Sequence, residues 1–348
     1  MPVLTIVHHP DAAWLPAGGV AEVVLADAGD EMPGPVGLVR LLITDDAGRI
    51  FCVPRSGGRP GWDLPMTPIG NADPAAMIND LTIATFGTQQ PVAPVGAVRN
   101  VVLGEAEYEW PSPVAYFHVY RPTTSPAPLI EGEWLTPEEA TAELSERHWW
   151  PLATVDVEAA RTLSEDLQIA WGYWLDGADR DRARVVDSAA DALVAGLDSP
   201  SLRELAGVYG DESWSEIDNL ILHIVDELGM PHPTEERALR LDLQRRSAKV
   251  LAGEVEPIDL VAWGRDWVGY NGPVDLQALT YLYAEYGFLE DVFPYWVVED
   301  RPEQMAALDA VVRDLAAAVV AGETDLSRFI PQRWATDPAT LAGSGDGE

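Results

Sequence analysis

The order of secondary-structure signals between residues 37 and 87 constrains the fold more than any other feature of the chain. Two apolar segments typical of strands, 37–44 and 49–53, flank an Asp-Asp-Ala-Gly turn. A loop rich in Gly, Pro and Arg then leads into the sequence WDLP at 62–65. A helix is predicted from about Pro74 to Phe86, because proline favours a first helical turn and Gly87 favours a helix end.

The segments that follow predict further strands and then only helices. Residues 92–103 and 114–120 alternate as strands do, and a strand is expected at the aromatic sequence WWPL, 149–152. From residue 157 onward, apolar residues recur three or four apart, which is typical of amphipathic helices. Ser199-Pro200, a capping box at Ser213, and Thr234 each indicate a helix start. The chain is therefore predicted to be α+β, with an all-α helical domain after a sheet domain.

Strand, turn, strand, loop, WDLP, loop, helix and glycine, in that order, resemble the layout of the Nudix family over residues 36–155. The WWPL segment also resembles the end of many Nudix domains. The resemblance implies an α/β/α sandwich with a mixed sheet. It also implies a helix motif, G-x5-E-x7-R-E-U-x-E-E-x-G-U with U a bulky apolar residue, whose glutamates hold Mg²⁺ so that water attacks a diphosphate.

The metal-binding glutamates of that motif are missing from this chain. No glutamate occurs between Glu31 and Glu105. With Gly87 taken as the late glycine of the motif, the R-E and E-E positions fall on Asp80, Leu81, Ala84 and Thr85. Two other alignments also leave the E-E pair without glutamate. The family's catalytic residues therefore cannot be carried over, and the sequence predicts a degenerate Nudix fold that leans away from enzymatic activity.

Four segments are expected along the chain. They are an N-terminal strand extension and linker (1–35), a Nudix-like domain with a degenerate box (36–155), an acidic all-helical domain (156–330) and a flexible tail (331–348). The helical domain shows no phosphate-binding loop, no metal-spaced Cys or His set and no nucleophile elbow. Its exposed acidic helices favour a role in protein interaction.

The favoured hypothesis is a pseudoenzyme that acts as a ligand-binding or protein-interaction and regulatory module. Arginines near the degenerate box would hold an anion, and tryptophans would stack on a base, so a nucleotide-like small molecule is the expected ligand. No catalytic residue and no cofactor are predicted under this hypothesis. The candidate binding residues are Arg55, Arg59, Trp62, Arg99 and Trp110.

Two alternatives stay open at this stage. In the first, a Nudix-type hydrolase acts on a nucleoside diphosphate-linked compound, with Mg²⁺ or Mn²⁺ held in a rearranged acidic site. Its candidate ligands are Asp73, Asp80, Glu105 and Glu107. In the second, the chain is an immunity-like inhibitor whose acidic face covers a basic effector protein.

The charge of the chain narrows the classes of partner. Fifty-seven acidic residues against 22 basic ones give a formal net charge of −35. Such a field repels phosphate backbones and anionic lipid, so neither nucleic acid nor a membrane surface is an expected partner. The single Cys52 cannot form an internal disulfide, and the chain shows no signal-peptide pattern and no membrane-length apolar stretch. These features, with Lys249 as the only lysine, predict a cytoplasmic bacterial protein.

Overall fold

The chain has a mixed α/β fold. The computed structural model describes residues 4–26, 31–55, 57, 60–103, 108–124, 126–177, 180–210, 212–291 and 301–334. Within these residues, a mixed six-stranded sheet and a three-stranded sheet precede a region built from helices. The prediction of strands followed by helices is confirmed at this level. Residues 335–348 of the predicted flexible tail lie outside the described residues.

Contacts divide the chain into two units. The first comprises Met1–Leu167 and Asp181–His232, and the second comprises Gln168–Arg180 and Pro233–Glu348. The grouping by contacts therefore places residues 181–232 with the sheet. The sequence instead predicts a domain boundary near residue 155. That boundary remains a prediction.

The first unit contains the sheets. Its strands are β1 (Thr5–His9), β2 (Val20–Leu25), β3 (Val36–Leu41), β4 (Ile50–Pro54), β5 (Trp62–Asp63), β6 (Met66–Pro68), β7 (Val92–Val101), β8 (Val114–Pro122) and β9 (Glu133–Leu135). The six-stranded sheet has the order β1-β2-β7-β8-β3-β6, and the smaller sheet has the order β5-β4-β9. Strands β3 and β8 run parallel, and the other pairs run antiparallel.

Helix α1 lies between β6 and β7 in the chain, and α2 to α7 follow β9. Their bounds are α1 (Pro74–Phe86), α2 (Pro137–Leu144), α3 (Trp150–Thr154), α4 (Val157–Leu175), α5 (Arg182–Val194), α6 (Pro200–Ala206) and α7 (Trp214–Glu227). The division between the two units falls inside α4. The predicted caps at Ser199 and Ser213 are confirmed, since each side chain accepts a hydrogen bond from a backbone N–H in the first helical turn.

Local signals place α1 where the sequence predicts it. The carboxylate of Asp73 accepts hydrogen bonds from the backbone N–H groups of Ala75 and Ala76, and Pro74 opens the helix. Gly87 ends it with a φ of 76°, a left-handed conformation that glycine adopts without strain. The prediction of a helix from Pro74 to Phe86 is confirmed.

The two faces of β3 carry different kinds of side chain. Val39 and Leu41 point toward α1 and pack in one core cluster with Ile78, Leu81 and Phe86. Because successive side chains of a strand alternate between faces, Leu38 and Arg40 lie on the other face. One side of the sheet is thus an apolar core beneath α1, and the other side receives a charged residue.

The outer edge of β1 is covered by another part of the first unit. The N–H of Asp198, which follows α5, donates to the carbonyl of Ile6 at 2.7 Å, and the N–H of His8 donates to the carbonyl of Asp198 at 2.9 Å. The N–H of Thr5 donates to the carbonyl of Leu228 at 3.2 Å. These bonds pair backbone groups that a sheet edge would otherwise expose.

The prediction of a strand at WWPL is wrong. Residues Trp150–Thr154 form the short helix α3, with Pro151 in its first turn. Paired aromatic residues favour strands, but proline at the start of a helix needs no backbone donor and already has a helical φ. The position of Pro151 therefore decided the local conformation.

The second unit is built from helices. After the end of α4 it contains α8 (Glu235–Ala252), α9 (Pro257–Trp267), α10 (Ala278–Asp291) and α11 (Arg301–Val320). Thr234 caps α8 as predicted, since its hydroxyl accepts from the N–H of Arg237. The helices share one apolar core, in which the rings of Tyr173 and Trp267 lie 4.5 Å apart.

Candidate functional site

A cavity of about 590 Å³ lies in the first unit, on the face of β3 opposite α1. Strand alternation brings Arg40 from β3, Asn100 from β7 and Phe117 from β8 to this face. Asn100 donates from its amide to the hydroxyl of Tyr108 at 2.8 Å. The charged groups that line the cavity are Arg40, Arg55, Asp63, Glu109 and Arg147; its aromatic groups are Trp14, Tyr108, Trp110, Phe117, His148 and Trp149.

Arg40 is the most unusual residue of the cavity. It is only 5% exposed, and within the described part of the chain its Nε and Nη1 have no hydrogen-bond partner. Its nearest acid is Asp63, with 4.0 Å between Nε and Oδ1, which is too long for a hydrogen bond. Burial lowers the pKa of Arg40 and Asp63 opposes the change, but a guanidinium remains charged in proteins. The cavity wall thus holds a buried cation with two unused donors.

A second guanidinium shows the same feature. The Nε of Arg147 is buried, and it lacks a hydrogen-bond partner among the described residues. Buried charged donors of this kind are costly for the folded state unless another group satisfies them. Arg40 and Arg147, which both line the cavity, therefore have three buried guanidinium nitrogens without a hydrogen-bond partner among the described residues.

Asp63 is already held by other groups. Its Oδ1 accepts from the indole Nε1 of Trp149 at 2.8 Å and from the backbone N–H of Leu64 at 2.8 Å. These bonds fix the aspartate of the WDLP sequence against the residue that precedes α3. Asp63 therefore places a negative charge near Arg40 without accepting a hydrogen bond from the Nε of its guanidinium.

His148 is the fourth basic side chain of the cavity wall, after Arg40, Arg55 and Arg147. Its ring stacks on Trp14, with the ring centres 5.1 Å apart and an angle of 27° between the planes. Burial lowers the pKa of His148 to about 4, with Arg40 adding to the effect, Asp63 opposing it, and Arg147 and Arg55 contributing further. The imidazole is therefore neutral near pH 7.

The structure brings together part of the predicted binding set. Arg55 and Trp110 line the cavity. Arg99 is directed elsewhere: its Nη1 lies 2.5 Å from Oε2 of Glu22, and strand alternation puts it on the face opposite Asn100. Trp62 precedes Asp63 on β5, and the cavity wall contains Asp63 but not the described Trp62. The remaining predicted residue, Arg59, lies outside the described residues.

The predicted metal ligands do not form a site in the part that is described. Asp73 uses its carboxylate to cap α1, and Asp80 is exposed on the same helix. Glu105 and Glu107 lie outside the described residues. Among the residues that the structure describes, no group of three or more His, Cys, Asp or Glu side chains is arranged to hold a metal ion.

Sequence reasoning missed Arg40, Arg147 and His148. One local signal pointed to Arg40, since it is the only charged residue between 36 and 44 in an otherwise apolar strand. A lone arginine that must be buried is either paired or kept for a ligand. Arg147 and His148 gave no comparable signal, because their role depends on the approach of Trp14 and Asp63 from distant parts of the chain.

Comparisons with known proteins leave the family of this chain open. No protein-family model and no curated protein matches it. A crystal structure of DR0079 from Deinococcus radiodurans matches at 13% identity, over 40% of this chain and 86% of that one, with a TM-score of 0.23. That similarity is too low to support an argument about fold or function. None of the described helices combines the length and apolar character needed to cross a bilayer.

Proposed function

We propose that the first unit binds a small anionic molecule with an aromatic group, such as a nucleotide, in the cavity beside β3. The observation that supports this most is the buried guanidinium of Arg40, whose Nε and Nη1 are unpaired within the described residues. A guanidinium presents parallel donors that match the oxygens of a phosphate or carboxylate. An anion at this position would satisfy donors that the described protein groups leave unused.

The distribution of charge in the chain also supports an anion site at this cavity. The chain carries a formal net charge of −35, yet three of its arginines, Arg40, Arg55 and Arg147, surround one cavity. A local positive site in a negative protein attracts small anions at short range, while the overall field repels large polyanions. This arrangement favours a small ligand over a nucleic acid.

The aromatic side chains of the cavity wall support the proposal that the ligand has an aromatic group. Trp14 is 45% exposed and Trp110 is partly buried, so each has ring surface that a ligand can reach. Stacking of a base on such a ring contributes about 1–3 kcal/mol per base. The cavity therefore combines anion recognition and ring stacking in one volume of about 590 Å³.

We further propose that this unit is a degenerate Nudix-like domain that binds without hydrolysis. The proposal rests on the order of elements around WDLP and α1, and on the missing glutamates in that helix. Asp73 caps α1 through both carboxylate oxygens, and a magnesium site would have to compete with these bonds. The hydrolase and acidic-inhibitor alternatives have no observation of this kind in their favour.

The experiment is a binding and turnover screen on the purified protein. Tryptophan fluorescence would be followed while AMP, ADP, ATP, ADP-ribose and a nucleotide sugar are added, with and without Mg²⁺ or Mn²⁺, and product formation would be measured in parallel. We expect saturable binding and no turnover. Arg40→Met should weaken binding by at least about tenfold, whereas Arg121→Met, which removes an exposed arginine from β8 of the same sheet, should preserve it.

Two outcomes would overturn this account. Binding by Arg40→Met equal to that of the unmodified protein would show that the cavity is not the site. Metal-dependent turnover abolished by Asp73→Ala or Asp80→Ala would support the rearranged hydrolase instead.

A further inference from the structure

His148 occupies a position in the cavity that the proposed anion site does not yet explain. Its imidazole lies against the face of Trp14, and the edge of His9 contacts the same indole at a ring separation of 6.1 Å. Three arginines and one aspartate act on the imidazole from surrounding segments: Arg40 from β3, Arg55 after β4, Asp63 from β5 and the adjacent Arg147. His148 is thus a titratable group within the cluster that would receive an anion.

The charge of the cavity wall depends on the protonation of His148, so the wall can match either of two ligand charges. With His148 neutral, the cavity wall carries three guanidinium charges against the carboxylates of Asp63 and Glu109, a local balance of one positive charge. A monoanion matches that balance as it stands. A dianion leaves one negative charge unmatched unless a neighbouring group gains a proton.

We propose that the cavity selects a dianionic head group, such as a phosphate monoester, and that His148 takes up one proton from solvent when this group binds. This inference rests on the proposed function, because it concerns the same cavity. The step is a proton transfer: an acid in solvent gives up a proton, an N–H bond forms at the unprotonated ring nitrogen of the neutral imidazole, and the product is an imidazolium beside the anion.

The surroundings of His148 make such a change feasible. Without an anion, burial and the neighbouring arginines keep its pKa well below its ordinary value, at about 4. A dianion between these arginines screens their repulsion and attracts a positive imidazole, so it raises that pKa. The stacked face of Trp14 then accepts a cation–π contact from the imidazolium. Carbonyl and amide ligands would not produce this change, because they carry no charge.

The test compares two ligands that share one base. AMP carries a phosphate monoester that is mostly dianionic at pH 7.5, and cyclic AMP carries a diester with a single negative charge. Calorimetric titrations in two buffers with different ionisation enthalpies would give the number of protons taken up with each ligand. We expect uptake with AMP and none with cyclic AMP. The affinity for AMP should rise as the pH falls from 8.5 to 7, by up to about tenfold per pH unit when a full proton is taken up.

The variant His148→Gln identifies the group that takes the proton. It keeps a polar side chain that cannot be charged, so AMP should bind more weakly and without proton uptake, and AMP should lose more affinity than cyclic AMP loses. Nuclear magnetic resonance of the His148 ring with and without AMP should show the shift in titration directly.

The outcomes separate this inference from the proposed function. AMP binding without proton uptake, or uptake that persists in His148→Gln, would overturn the role of His148 and leave the binding site in place. Equal or tighter binding of cyclic AMP would overturn the preference for a dianion. Absence of binding by both AMP and inorganic phosphate would overturn the inference, and absence of binding by the whole nucleotide panel would overturn the proposed function with it.

Discussion

Replacement of Arg40 by methionine should make the protein more stable while it weakens ligand binding. The residue is 5% exposed, so its charge is withdrawn from water, and two of its donors are unpaired within the described structure. Methionine keeps the unbranched apolar stem of the side chain and removes the charge and the donors. The carboxylate of Asp63 remains bonded to Leu64 and Trp149, so the substitution does not leave it without partners.

The expected size of the effect follows from opposing contributions. The attraction between Arg40 and Asp63 at 4.0 Å amounts to about 4 kcal/mol at an effective dielectric constant of about 20. Against it stands the desolvation cost of the buried charge, roughly 5–6 kcal/mol, which already includes the penalty for its unpaired donors. We therefore expect Arg40→Met to raise the free energy of unfolding by about 1–2 kcal/mol, which corresponds to a Tm increase of about 2–8 °C.

The assay is thermal and urea denaturation of the unmodified protein, Arg40→Met and the control Arg121→Met. The control removes an exposed arginine and should change the free energy of unfolding by less than about 0.5 kcal/mol. A loss of about 2 kcal/mol or more in Arg40→Met alone would refute the reasoning. It would mean that the guanidinium stabilises the folded protein in the absence of a ligand.

Three further predictions concern other parts of the structure. Because the pKa of His148 is about 4 in the folded state and near 6.5 in the unfolded state, unfolding takes up a proton between these pH values. The free energy of unfolding should therefore fall by about 3 kcal/mol as the pH drops from 6.5 to 4, and in denaturation measured across this range His148→Gln should lack this decrease. Gly96→Ala should cost about 2–3 kcal/mol of unfolding free energy, because its Cβ would lie 2.3 Å from the carbonyl oxygen of Val24, whereas Gly287→Ala, in open space on α10, should add about 0.5–1 kcal/mol in the same urea titrations. Asp73→Ala should cost about 1 kcal/mol through loss of the α1 cap, and calorimetry should find its ligand affinity unchanged.

Elements with strong local signals could be predicted from the sequence. The start and end of α1 were set by Asp73, Pro74 and Gly87, which act within a few residues of their own positions. The caps of α6 and α7 were found for the same reason. At WWPL the aromatic residues and Pro151 favoured different conformations, and the interpretation as a strand gave too little weight to the proline.

The candidate site could be predicted only in part, because distant segments assemble it. Arg55 and Trp110 were selected by residue type alone, and the cavity contains both. Arg99 was selected by the same reasoning, but the face that it occupies depends on the register of β7 against β2, where Glu22 lies opposite. The pairing of β1 with Asp198 is also non-local, so composition gave no indication that residues 181–232 group with the sheet.

The most direct test of the account is a calorimetric titration of AMP into the unmodified protein, Arg40→Met and Arg121→Met at pH 7.5. We expect one binding site in the unmodified protein and in Arg121→Met. In Arg40→Met we expect a loss of at least about tenfold in affinity, which is the effect of removing one charge-assisted hydrogen-bonding group. Equal affinity in all three proteins would contradict the central claim that the buried guanidinium of Arg40 is the anchor of a ligand site.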